Sequence, residues 1–223
     1  MSLNNDTIII LDVPQGMEPG KMLAPVRADI SPLGLLIDRM TRITSPKNIS
    51  VLVNMEAGGS PYGKFTALRG VFLSRVKETE KLHRLTRAAS GRGAAAFVRI
   101  DARHVFADPD IARQLGQFRA EKKAAFARAD GAPAWLTAEA FESKYLLDAS
   151  IAAKANGDGD IDPVEALAKY VDGFKPAALK TRIRGRWKAD NIALGDPQGE
   201  PQIMSAMRSA PDPVSLSYKD FLA

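Results

Sequence analysis

The chain has 223 residues, 45% of them apolar, enough to bury a core without covalent staples. It has no Cys, which excludes disulfides, thiolate metal sites and thiol catalysis, and its two histidines leave little material for a multi-His metal centre or a Ser-His pair. Lys and Arg number 31 against 26 Asp and Glu, a formal charge of +5 that suits an acidic partner without demanding one. The longest apolar run, Ile8 to Leu11, is far short of a membrane span, so a soluble, cytoplasmic protein without a membrane partner is expected. The Ala-rich, Cys-free composition fits a bacterial or phage protein, virion-associated in the second case.

Thr7-Ile-Ile-Ile-Leu-Asp-Val13 reads as a buried strand stopped by Pro14 and Gly16. Four prolines and two glycines between Val13 and Pro32 predict an irregular connection. Ser31-Pro32 then supplies an N-cap and a first-turn proline for a short helix through Ile43. Alternation over Ile49, Val51, Val53 and Met55 predicts a half-buried strand.

Gly58-Gly-Ser-Pro-Tyr-Gly-Lys-Phe-Thr66 admits two readings. Gly58, Gly63 and Lys64 satisfy G-x-x-x-x-G-K after a strand, which resembles a phosphate-cradling P-loop, with Asp101 or Asp12 as the strand-end acid. Phe65 departs from that pattern, where a hydroxyl is needed for magnesium. In the other reading, 58–63 is a β-hairpin loop and Phe65 to Val76 returns as a strand, with Gly70 at home in it.

Lys77 to Ala89 is helical in composition, Ala94 to Asp101 a third strand, and His83 and His104 have no evident chemical partner in sequence. Asp108-Pro109 opens a helix of about twenty residues through Phe126, whose Arg113, Arg119, Lys122, Lys123 and Arg128 form either a solvated face or a contact for phosphate. Trp135 anchors the following turn, and Thr137 caps a helix running into Lys154.

Between Lys154 and Glu165, oxygen-bearing side chains fall at places three, five, seven, nine and twelve, with Gly159 at the turn. This resembles the calcium loop of the EF-hand family, and the resemblance implies Ca²⁺ ligation by Asn156, Asp158, Asp160, Asp162 and Glu165. Lys154 stands where the family places an Asp, and Asp162-Pro163-Val-Glu165 equally forms an N-cap and capping box.

Lys175-Pro176 predicts a further helix. Lys180, Arg182, Arg184, Arg186 and Lys188 crowd around Trp187, the residue types a phosphate-tracking, base-stacking surface uses. From Asp190 the prolines predict an arm for a protein partner or self-assembly. The expected architecture is α+β: a small mostly antiparallel sheet in 1–106, a helical region in 107–188 and an extended C-terminal arm in 189–223. The expected function is that of a non-catalytic binding or assembly protein contacting nucleic acid through Lys180 to Lys188. The alternatives are a degenerate P-loop nucleotide binder or hydrolase and a calcium-modulated interaction module.

Overall fold

The computed structural model describes residues 3, 6–54, 59–181, 183 and 191–216. Its elements run β1 (Thr7–Asp12), α1 (Pro19–Leu23), α2 (Pro32–Met40), β2 (Ile49–Asn54), α3 (Gly59–Leu68), β3 (Phe72–Val76), α4 (Lys81–Gly91) and β4 (Ala96–Asp101). They continue with α5 (Pro109–Lys122), β5 (Phe126–Asp130), β6 (Glu139–Glu142), α6 (Ser143–Ala155), α7 (Pro163–Tyr170), β7 (Ala177–Lys180) and α8 (Gly199–Ser209).

All seven strands form one sheet in the order β3-β2-β1-β4-β6-β5-β7. The first four are mutually parallel, β6 runs antiparallel to β4 and β5, and β7 is parallel to β5. This overturns the α+β expectation in all three parts. Residues 1–106 contribute a wholly parallel set of strands, 107–188 contribute three more strands of the same sheet, and 191–216 are packed into the core.

Helices cover both faces. Ile9, Leu11, Val51, Val98 and Ile100 meet α2, α5 and α8 through Leu33, Leu36, Ile111, Leu115, Ile203 and Met207. Ile8, Ile10, Leu52, Phe97, Phe126 and Phe141 meet α4, α6 and α7 through Leu82, Leu85, Leu146, Ala149 and Leu167. Central strands covered twice need apolar side chains at every position, which is why β1 is a continuous Ile run. β2 is buried at all six positions as well, its Ser50 hydroxyl sharing a hydrogen bond of 2.7 Å with Ser74 of β3.

Residues 59–68 are helical and β3 is parallel to β2, so the hairpin reading fails. Gly70 has φ +65° and lies in the turn that ends α3, where Val71 N–H returns to the Thr66 carbonyl. A left-handed glycine at a helix end and a glycine in a strand look alike in one sequence. α5 likewise stops at Lys122, capped by Lys123 at φ +50°, and the apolar stripe at Phe126 begins a strand. Residues 139–142 and 177–180 are strands where helices were expected. The N-caps at Ser31, Asp108 and Asp162 form as read, each accepting a hydrogen bond from a first-turn N–H.

Candidate functional site

Strand order reverses direction at β1: β2 lies on one side of it and β4 on the other, so the chain leaves β1 and β4 toward opposite neighbours. In open α/β sheets this switch point, beyond the carboxyl ends of the strands, is where a crevice forms. Here Asp12 and Asp101, paired across β1 and β4, mark that end.

Asp12 is buried and accepts from Arg84 Nη2 at 3.1 Å and Arg99 Nε at 3.0 Å; Arg99 also reaches Glu139 at 2.6 Å. The same Arg84 nitrogen donates to the Val13 carbonyl at 3.0 Å, fixing the first residue of the loop that follows β1. Burial works against the Arg99 charge, but Asp12 and Glu139 outweigh it and raise its pKa, so the guanidinium stays charged. Asp101 is a separate pair: both its oxygens accept from the side chain of Arg103, at 2.7 to 3.2 Å, and Oδ1 also takes the Arg103 backbone N–H. Burial opposes Asp101 ionisation, and the hydrogen bonds from Arg103 reverse this and hold its pKa low.

Above these pairs lies a cleft of about 290 Å³ lined by the loop Pro14 to Glu18, by Lys21 of α1, by Arg103 and by Leu194-Gly195. Gly16 takes φ +79°, which lets the loop turn back over the strand end. Leu194 N–H bonds the Arg103 carbonyl, so the C-terminal segment forms one wall. Lys21 lies 3.4 Å from Glu200, an exposed pair that a stronger anion displaces readily. Two cations, Lys21 and Arg103, and a turn of backbone line this concave space, with Glu18 the acid among its lining residues.

No protein-family model and no curated protein matches the sequence. Solved structures do match. A cytidylyltransferase from Leptospira borgpetersenii serovar Hardjo-bovis superposes with a TM-score of 0.78 at 16% identity, over 96% of this chain and 91% of that one. This chain shares the fold of that structure. The CMP:2-keto-3-deoxy-manno-octonic acid synthetase solved with CTP aligns at TM-score 0.65 and 10% identity, over 91% and 98% of the two chains. A 4-diphosphocytidyl-2C-methyl-D-erythritol synthase from Anaerococcus prevotii gives 0.64 and 10%, over 91% and 97%. These whole-chain neighbours, enzymes by name, correct two expectations: a non-catalytic binding or assembly protein, and an EF-hand-like module.

The described members of the expected sites lie apart from this crevice. Gly63 and Lys64 sit inside α3, not in a loop before it, and Gly58 lies outside the described residues. Lys180 is exposed on the edge strand β7, whereas Arg182, Arg184, Arg186, Trp187 and Lys188 lie outside the described residues.

The oxygens of the 154–165 loop diverge. Asn156 bonds back to the Ala152 carbonyl, Asp158 takes Lys169 at 2.5 Å and the Tyr170 hydroxyl, and Asp162 caps α7 and meets Lys81 at 2.8 Å. Asp160 and Glu165 are exposed, and among the described residues no three His, Cys, Asp or Glu side chains gather for a metal. His83 does find a partner, Ser150 of α6 at 2.7 Å, 67 residues away.

Lys21, Arg103 and the loop 14–18 escaped the sequence reading. Their signal was the Pro- and Gly-dense stretch leaving a fully buried strand, which marks a site loop only once that strand is known to be central and parallel.

Proposed function

We propose that this protein is a nucleotidyltransferase that takes a nucleoside triphosphate into the β1–β4 crevice and passes its nucleotidyl group to an acceptor oxygen. The observation that carries the reading is the fold likeness over 96% of the chain combined with a cleft lined by Lys21 and Arg103 at the switch point. In the reaction an acceptor oxygen bonds the α-phosphorus, the bond from that phosphorus to the bridging oxygen breaks, and pyrophosphate leaves with the electron pair. Lys21 and Arg103 stabilise the charge that builds on the phosphate oxygens. Asp101 holds Arg103 as a fixed fork, and Arg84 holds the loop through Val13. No helix among the described residues is long and apolar enough to cross a membrane, in keeping with a diffusible nucleotide substrate.

Triphosphates travel as magnesium complexes, and magnesium takes one or two protein carboxylates beside the phosphates. The carboxylates at the strand ends are committed to arginines: Asp12 to Arg84 and Arg99, Asp101 to Arg103. These strand-end carboxylates do not fit a metal in this arrangement; Lys21 and Arg103, paired with Glu200 and Asp101, are the cations that line the cleft.

Calorimetric titration with CTP, UTP, ATP and GTP tests the reading. Wild-type protein is expected to bind one of them, with Lys21→Ala and Arg103→Ala each weakening it about tenfold or more. Failure of all four to bind at millimolar concentration, or equal binding by the double variant, sinks it.

A further inference from the structure

A second cleft, of about 420 Å³, opens at the opposite end of the sheet, where the chain leaves α5 and enters β5. Because β4 and β5 are both antiparallel to β6, they run the same way, so the entrance to β5 lies away from the carboxyl ends that frame the crevice. Phe118, Tyr145 and Phe174 line this cleft together with Lys122, Lys123 and Lys175, and Asp172 is the acid among its lining residues. Of the basic residues on α5 and around this cleft, Arg113 is paired with Asp110 and Arg119 with Glu142, whereas Lys122, Lys123 and Lys175 form no ion pair among the described residues. Lys122 lies instead 5.7 Å from the Phe118 ring centroid.

Three lysines lining one concavity with a single carboxylate give it a net positive charge, which an anion offsets. The rings beside them add faces on which a planar body stacks. We infer that this cleft is a separate binding site for a small aromatic anion, a phosphate or carboxylate carried on a flat ring. It is independent of the nucleotidyl-transfer reading, since no residue is shared between the two clefts. A ligand here acts at a distance from the crevice, as an effector, because it cannot reach the switch point from this end.

Phenyl phosphate is the probe, titrated by calorimetry beside inorganic phosphate. The full chain is expected to bind phenyl phosphate at one site, at least about tenfold more tightly than inorganic phosphate, with affinity falling as salt rises. The double variant Lys122→Glu, Lys175→Glu, whose lysines are exposed and whose folding a melting curve verifies, is expected to lose that binding, whereas Lys21→Ala keeps it. Equal binding by the charge-reversed variant overturns the site, and so does absence of wild-type binding at about 10 mM. Equal affinity for inorganic phosphate overturns recognition of the ring, and loss of binding in Lys21→Ala assigns the probe to the crevice instead.

Discussion

Burying Asp12 between Arg84 and Arg99 costs several kcal/mol of desolvation per ion, set against the hydrogen bonds both arginines donate to it, with Arg84 Nε left buried and without a partner among the described residues. What that cost secures is position: the loop after β1 begins at a carbonyl gripped by Arg84, and Arg103 is held by two oxygens of Asp101. His104, next along the chain, belongs to the same neighbourhood. Its burial lowers its pKa, Arg103 and Arg99 push the same way, and Asp101 opposes them. The sign follows: in acid the unfolded chain takes up its proton first, near 6.5, whereas the folded chain does so only at lower pH. His104 therefore contributes stability that is complete above 6.5 and declines as pH falls through 6.5 toward the folded value. Melting curves between about pH 7.5 and 5.5 are expected to show this decline in wild type and a shallower one in His104→Gln; parallel curves would refute the assignment.

At the scale of elements, local chemistry was legible and pairing was not. Caps written in residue types, Ser31-Pro32, Asp108-Pro109 and Asp162-Pro163, formed where they were read, because a short polar side chain before a proline satisfies the first N–H groups of a helix in any surroundings. Strand direction depends on what crosses between strands, and the crossover α3 was hidden by Gly63 and Gly70, which suggested a loop and a strand. The 154–165 stretch shows the same limit from the other side. Its spacing matches a calcium loop, but α6 and α7 are joined with Asp158 turned to Lys169 and Asp162 to Lys81, leaving no common point for the oxygens. Millimolar CaCl₂ is accordingly expected to leave the melting temperature within about 1 °C of the EDTA-treated protein; a rise of several degrees would contradict this geometry.

At the scale of the whole molecule, the C-terminal segment 191–216 gives up the role of an arm. Ile192, Leu194, Ile203 and Met207 are buried in the face that α2 and α5 also cover, and Arg39, itself buried, donates to the carbonyls of Val214 and Leu216. Prolines suggested an extended tail, but their effect is to turn the chain sharply around α8 while its apolar residues fill the core. That packing brings Leu194 and Gly195 to the crevice, so the segment farthest in sequence from β1 helps to close the site that β1 opens.

The central claim, that this crevice receives a nucleoside triphosphate, is tested most directly by the crystal structure of the chain grown with a non-hydrolysable CTP analogue. The expected result is triphosphate density at the carboxyl ends of β1 and β4, against Lys21, Arg103 and the 14–18 loop. Triphosphate density in the Lys122 cleft alone, or an empty crevice at saturating analogue, would contradict it.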